Sequence, residues 1–326
     1  MFPRPRILII VRAGRHSIHR AWTWLTEGLA DVAISAYDDS DFSGDDAHYT
    51  HRFAGGKFPG IMDFLRRHPD VIEHYDYFML FDDDLVLSVE SLRRISSLLA
   101  RFPFDLAAPG LGYESFFVWP LAIANSRFLF RATDFVEVMM PIMSRSFLRA
   151  AMPAFDDNYS GWGHEWLWRQ MLRERGTFAA ILDCAPVAHA RPYGSSTMRA
   201  NRPPEAPDPQ KDLAAMLARY GLDASEPFRN YFGVTREDPP RLLAHNAMLQ
   251  EALSGYRELQ ALPGDGFMRC VDTLIKGSRP VTPEAELRRT AGFAMVERAL
   301  PGADLASLPD EPVPPRRGGG RHGLAF

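Results

Sequence analysis

The chain has 326 residues, 46% of them hydrophobic and 24% charged, with a formal net charge of −4. This length and composition exclude a wholly disordered chain and allow one large α/β domain or two modest ones. The 37 basic against 41 acidic residues lack the basic excess of a nucleic-acid binder, so no nucleic-acid partner is expected.

Two cysteines, Cys184 and Cys270, lack any CxxC spacing and read as reduced apolar fillers. No run approaches about 18 uninterrupted apolar residues, so no transmembrane anchor is expected and the expected location is cytoplasmic. Only three of the basic residues are lysines, and Lys57 is the sole one before residue 211.

Ile7 to Val11 is a short β-branched run and reads as a buried strand, with Arg12 to His16 as its exit loop. Ser17 caps a predicted helix to about Leu29, with Ile18, Trp22, Leu25 and Leu29 on one face. Val32 to Tyr37 is the next strand, which makes a βαβ unit and a parallel pair. Asp38 to Asp46 reads as a solvated acidic loop. A short strand at Tyr49 to Phe53 precedes Gly55-Gly56-Lys57-Phe58-Pro59-Gly60, and a helix is predicted from Pro59 to Arg67.

Tyr77 to Phe81 is a second buried strand, stopping at Asp82-Asp83-Asp84. Ser88 caps a helix with apolar Leu92, Ile95, Leu99 and Phe102. Strands are predicted at Phe104 to Ala108 and Phe128 to Met140, and a helix from Ser144 to about Ala151. A polar loop, Asp156 to Gly163, leads into a helix from Glu165 to Arg175, closed by Gly176. Phe178 to Leu182 is a strand ahead of His189.

Residues 201–209 carry four prolines and read as a linker. Helical patterns follow near 211–219, 239–261 and 283–299, and 301–326 reads as a disordered tail. The expected organisation is a catalytic domain over 1–199, a linker and helical extension over 200–300, and the tail.

The acidic triplet carries the strongest chemical signal. Open α/β sheets bind ligands beyond the carboxyl ends of their strands. In extended backbone Asp82 and Asp84 point the same way and would share one divalent cation; otherwise they cap a turn. His189 would add a neutral imidazole ligand, or is structural. In Ser160-Gly161-Trp162-Gly163-His164-Glu165, Trp162 offers a face for a sugar ring or packs in the core. Glu165 is an acceptor or base, or a first-turn acid favoured by the helix dipole. Arg12, Arg15 and Lys57 would add positive charge near a diphosphate, or are surface and loop cations.

Phe81-Asp82-Asp83-Asp84 after a buried strand, Gly161-Trp162-Gly163 with Glu165, and a late His189 resemble the working parts of GT-A-fold glycosyltransferases. More narrowly, four segments resemble an uncharacterised, glycosyltransferase-like domain-of-unknown-function family, over about residues 6 to 193. They are Val11-Arg12-Ala13-Gly14 with His19 and Trp24, the Gly55–Gly60 segment, the Asp triplet, and Gly161-Trp162-Gly163.

The resemblance implies a GT-A-like (Rossmann-like) α/β fold, with a mixed, mostly parallel sheet flanked by helices and a helical C-terminal extension. It implies a nucleotide-diphosphate sugar donor, a carbohydrate or other hydroxyl acceptor, and a divalent cation, Mn2+ or Mg2+. Asp84 maps onto the metal ligand, Asp82 onto a contact with metal or ribose, and His189 onto a late metal ligand. Asp83, Arg12, Lys57 and Trp162 are read beside them as donor-binding residues; the family's acceptor-contacting acid maps onto Glu165, which would be the base if the reaction inverts. The family's acidic pair after Gly-Trp-Gly is His164-Glu165 here, with one carboxylate.

Two other readings share these residues. A metal-dependent nucleotidyltransferase or phosphoesterase also places Asp pairs at strand ends, with Asp156 and Asp157 as further carboxylates. A non-catalytic nucleotide or sugar binder would keep the triplet and lack the base.

Overall fold

The computed structural model describes residues 3–26, 28–192, 208–256, 266–277 and 290–300. In chain order, β1 (Ile7–Ala13), β2 (Asp31–Ala36) and β3 (Tyr49–Arg52) precede helix α1 (Lys57–Arg67) and the short α2 (Asp70–His74). Then come β4 (Tyr77–Asp82), β5 (Leu85–Val86), α3 (Val89–Arg101), β6 (Leu106–Leu111), β7 (Phe128–Thr133) and β8 (Ile142–Ser144). Helices α4 (Arg145–Ala151) and α5 (His164–Glu174) lead to the long β9 (Ala179–His189). The later part holds α6 (Pro209–Tyr220), β10 (Asn230–Thr235), β11 (Leu242–Ala244), α7 (His245–Tyr256), α8 (Gly266–Gly277) and α9 (Ala291–Ala299).

The strands form one mixed sheet in the order β11-β10-β7-β9-β6-β8-β4-β1-β2-β3, with β5 paired to β9. The block β4-β1-β2-β3 is parallel throughout. Strand β8 runs against its neighbours β4 and β6, and β6 is parallel to β9. Hence β1, β2, β4, β6 and β9 all point the same way and end on one edge. The expected mixed, mostly parallel sheet flanked by helices is what the chain forms.

The sheet centre is apolar because its strands are. Every residue of β1 is buried, and so are Tyr77 to Phe81 of β4 and Ala179 to Ala185 of β9. Burial on both faces accounts for the continuous apolar runs Ile7 to Val11 and Tyr77 to Phe81. Helices α3 and α4 start where serine caps stand: Ser88 accepts the N–H of Ser91, and Ser144 that of Phe147. Gly176 follows α5 in the left-handed region, φ 61°. Among the described residues no helix is long and apolar enough to cross a membrane.

Several sequence expectations are corrected. The helix from Ser17 to Leu29 is two short 3-10 turns, His19–Ala21 and Thr23–Thr26. Long-range bonds hold this segment: Ile18 N–H donates to Asp83 O at 2.9 Å, and Trp22 Nε1 to Leu85 O at 2.7 Å. The strand Phe128 to Met140 ends at Thr133, because Asp134 turns to meet Arg169 at 2.7 Å. Strand β9 runs on to His189 itself. The helical pattern at 239–261 contains β11 before α7, and β10 precedes it. Of the predicted linker, 201–207 lies outside the described residues, as do 283–289 of the last predicted helix and the 301–326 tail. Asp208 and Pro209 already cap and start α6.

Candidate functional site

The acidic triplet leaves the end of β4 beside the exit of β1, on the shared carboxyl edge. Its three carboxylates go three separate ways. Asp82 Oδ1 lies 2.7 Å from Lys57 Nζ, and 30% of its side chain stays open. Asp83 faces inward, accepting Tyr37 Oη–H at 2.8 Å and the Gly14 N–H at 3.2 Å. Asp84 Oδ2 lies 3.3 Å from His189 Nε2.

Backbone pairing makes the last contact. The antiparallel pair β5–β9 sets Leu85 opposite His189, so Asp84 precedes that register pair by one residue. Ala190 N–H closes the bridge onto Asp84 O at 2.9 Å. The ring is oriented from its other side: Nδ1–H donates to Phe116 O at 2.7 Å, which turns Nε2 toward the carboxylate. Burial opposes the imidazolium, but Asp84, the Phe116 carbonyl and Glu137 outweigh it and raise His189 to about 9.

Lys57 is enclosed. Its ammonium donates to Val138 O at 2.7 Å and Met139 O at 2.9 Å besides meeting Asp82. Burial lowers its pKa and Asp82 counters that. The lysine thus holds both an acid of the triplet and the segment between β7 and β8. Burial raises Asp82, with Lys57 opposing, and pushes Asp83 up to about 7 against the Tyr37 hydrogen bond.

That segment carries Glu137, which sequence reasoning missed. Its Oε2 is buried without a hydrogen-bond partner among the described residues. Burial pushes its carboxyl up to about 7, with His189 and Lys57 pulling down and Asp82 pushing up. Glu165, 5% exposed, accepts the Gly163 N–H at 3.0 Å; burial raises it to about 8, with Glu137 adding to the rise. The missed signal was a single acid inside the apolar run Phe135-Val136-Glu137-Val138-Met139-Met140, masked by reading the run as a strand.

Arg12 and Arg15 are already engaged by protein partners, and Trp162 lies in the glycine loop. Arg12 is fully buried, and its guanidinium donates to Ser35, Ala36, Phe53 and Gly55. It braces the β2 exit, and an added Cβ on Gly60 would come within 2.4 Å of it. Arg15 is exposed and pairs with Asp39. Trp162 is half-buried in the glycine loop, whose Gly161 and Gly163 have φ of 85° and 102°. The two glycine motifs touch: a Cβ on Gly56 would lie 1.9 Å from Tyr159 O.

Asp156 pairs with Arg66, and Asp157 with Tyr220 and Arg219, so neither faces the triplet. Among the described residues no group of three or more His, Cys, Asp or Glu side chains is arranged to hold a metal ion. The Asp84–His189 pair would offer one carboxylate oxygen and, once Nε2 gives up the proton it shares with Asp84, one oriented imidazole nitrogen, a donor set that suits a divalent transition cation. Asp82 stands with Lys57 instead.

No protein-family model matches the chain, and no curated protein matches it in sequence. Solved structures similar to it include GalNAc-T7 with UDP, GalNAc and Mn2+, at 8% identity and TM-score 0.47, covering 66% of this chain and 48% of that one. S. aureus TarS 1-349 in complex with UDP is similar at 11% identity and TM-score 0.37, covering 56% of this chain and 59% of that one. A further S. aureus TarS structure stands at 12% identity and TM-score 0.37, covering 56% and 36%. The chain thus aligns with between about a third and three fifths of the length of those proteins.

Proposed function

We propose that this chain is a metal-dependent glycosyltransferase that moves a sugar from a nucleotide-diphosphate donor to a hydroxyl acceptor. The carrying observation is the meeting of Asp84 with His189, next to Asp82 and Lys57, on the carboxyl edge of parallel strands. Such an edge is where open α/β sheets bind ligands. The GT-A resemblance of the triplet, the Gly-Trp-Gly loop and the late histidine supports the same reading, with residues 1–199 as the catalytic unit.

Asp84 and His189 would hold a divalent cation, Mn2+ or Mg2+, and Asp82 would meet the ribose or share the cation from its open side. When bound, the cation supplies Lewis-acid neutralisation of the charge that grows on a leaving diphosphate. Lys57 adds a fixed positive charge beside Asp82 and keeps that acid oriented. Glu165 takes the acceptor proton: a carboxyl raised to about 8 is a stronger base than an ordinary one once deprotonated. Glu137 supplies the second acid beside it, where the chain order offers His164. Trp162 gives the sugar a flat apolar face.

The test is titration of UDP and GDP with and without Mn2+, followed by a donor-sugar screen with any nucleotide that binds. Metal-dependent binding that Asp84→Asn removes from a folded protein supports the reading. Binding indifferent to metal and to Asp84 contradicts it.

A further inference from the structure

The Ser160-Gly161-Trp162-Gly163 loop is held from two sides. On one side it meets the start of α1: Tyr159 O lies against Gly56, and Phe58 lies against Gly161. On the other stands α6, which follows residue 207, beyond every motif that suggested the function. Asp212 of α6 is 3% exposed, and its Oδ2 accepts the Ser160 N–H at 2.7 Å. Met216 is buried under Gly163, where an added Cβ would come within 2.6 Å of the Met216 Cβ. Tyr220 and Arg219 bind Asp157 at the other end of the loop. Ala154, Leu167 and Met216 form a small apolar core between them.

A helix held only for packing needs no acid here. A buried carboxylate costs stability unless its bonds are good. No cation pairs with Asp212 among the described residues; its carboxylate accepts the loop amide of Ser160. A charge-assisted bond of that kind is short, strong and directional. It fixes the backbone three residues before the Gly163 N–H, which Glu165 in turn accepts.

We propose that Asp212 is a positioning residue, and that α6 clamps the glycine loop so that Glu165 faces the carboxyl edge. The clamp itself stands on geometry; its consequence for Glu165 rests on the glycosyltransferase reading. The clamp makes the segment after residue 207 part of the working unit.

The test compares hydrogen–deuterium exchange of the full chain in wild type, Asp212→Ala and Asp212→Asn. Asparagine keeps an acceptor for the Ser160 N–H, and alanine does not. The clamp predicts at least tenfold faster exchange across 158–163 in Asp212→Ala, unchanged exchange in β1 and β4, and exchange within threefold of wild type in Asp212→Asn. Unchanged exchange in Asp212→Ala, equal acceleration in both variants, or acceleration throughout the sheet each overturn it. Wild-type protein that binds neither UDP nor GDP with Mn2+ refutes the glycosyltransferase reading, while the exchange data still decide the clamp.

Discussion

His189 Nε2 stands 3.3 Å from Asp84 Oδ2, although the two residues lie 105 apart in sequence. The long strand β9 and the two-residue β5 bring them together, and the Phe116 carbonyl fixes the ring. If the pair is a cation site, His189→Ala lowers the affinity for Mn2+ with UDP by about tenfold or more, since losing even a group that only orients a ligand costs about that much. Calorimetric titration checks this, and unchanged affinity removes His189 from the site.

Lys57 pairs its charge with Asp82 at 2.7 Å and donates to two backbone carbonyls. Lys57→Met leaves all three without their cation. The expected loss of stability is about 3 kcal/mol, reduced somewhat by the open side of Asp82. Urea denaturation measures it; a loss under about 1 kcal/mol means the ion pair is incidental.

Two glycines with positive φ separate strain from space. Gly176 has φ 61° with none of the described residues within 4 Å of an added Cβ, so Gly176→Ala should cost about 1–2 kcal/mol. Gly163 has φ 102° and Met216 2.6 Å away. Gly163→Ala should therefore cost more than Gly176→Ala, with the excess reporting the α6 contact. Equal costs by thermal denaturation contradict that packing.

His164 is fully buried, its ring 4.5 Å from that of Phe58 and stacked on Trp168 at 5.8 Å. Neither ring nitrogen has a hydrogen-bond partner among the described residues, and burial pulls the imidazole down to about 3. The unfolded chain takes up the proton near its ordinary value of about 6.5. This contribution to stability is therefore complete above about 6.5 and is lost as pH falls from there toward 3. Wild type should lose about 1 kcal/mol per pH unit more than His164→Phe between pH 6 and 4. Parallel pH profiles of the two proteins refute it.

Much of the scaffold was legible. The β1 and β4 runs, the Ser88 and Ser144 caps and the Gly176 stop are local signals, and local chemistry decides them. The Ser17–Leu29 helix failed because a favourable apolar stripe lost to hydrogen bonds that the segment donates to Asp83, Leu85 and Asp45, which are distant in sequence. The site was legible as a list of residue types and not as a set of partners. Asp83 and Arg12 are ionisable residues whose partners, Tyr37 and the turn at Phe53–Gly55, are not local in sequence. Glu137 was hidden because a strand pattern continued on paper past Thr133. Asp212 belongs to the site loop only through a long-range contact that no sequence period announces.

The most direct test of the central claim is calorimetric titration of UDP and GDP, with and without Mn2+, against wild type and Asp84→Asn. The account predicts that one nucleotide binds wild type only with Mn2+, and that the folded variant loses this binding. No binding of either nucleotide to folded wild-type protein, or binding that Asp84→Asn leaves intact, contradicts it.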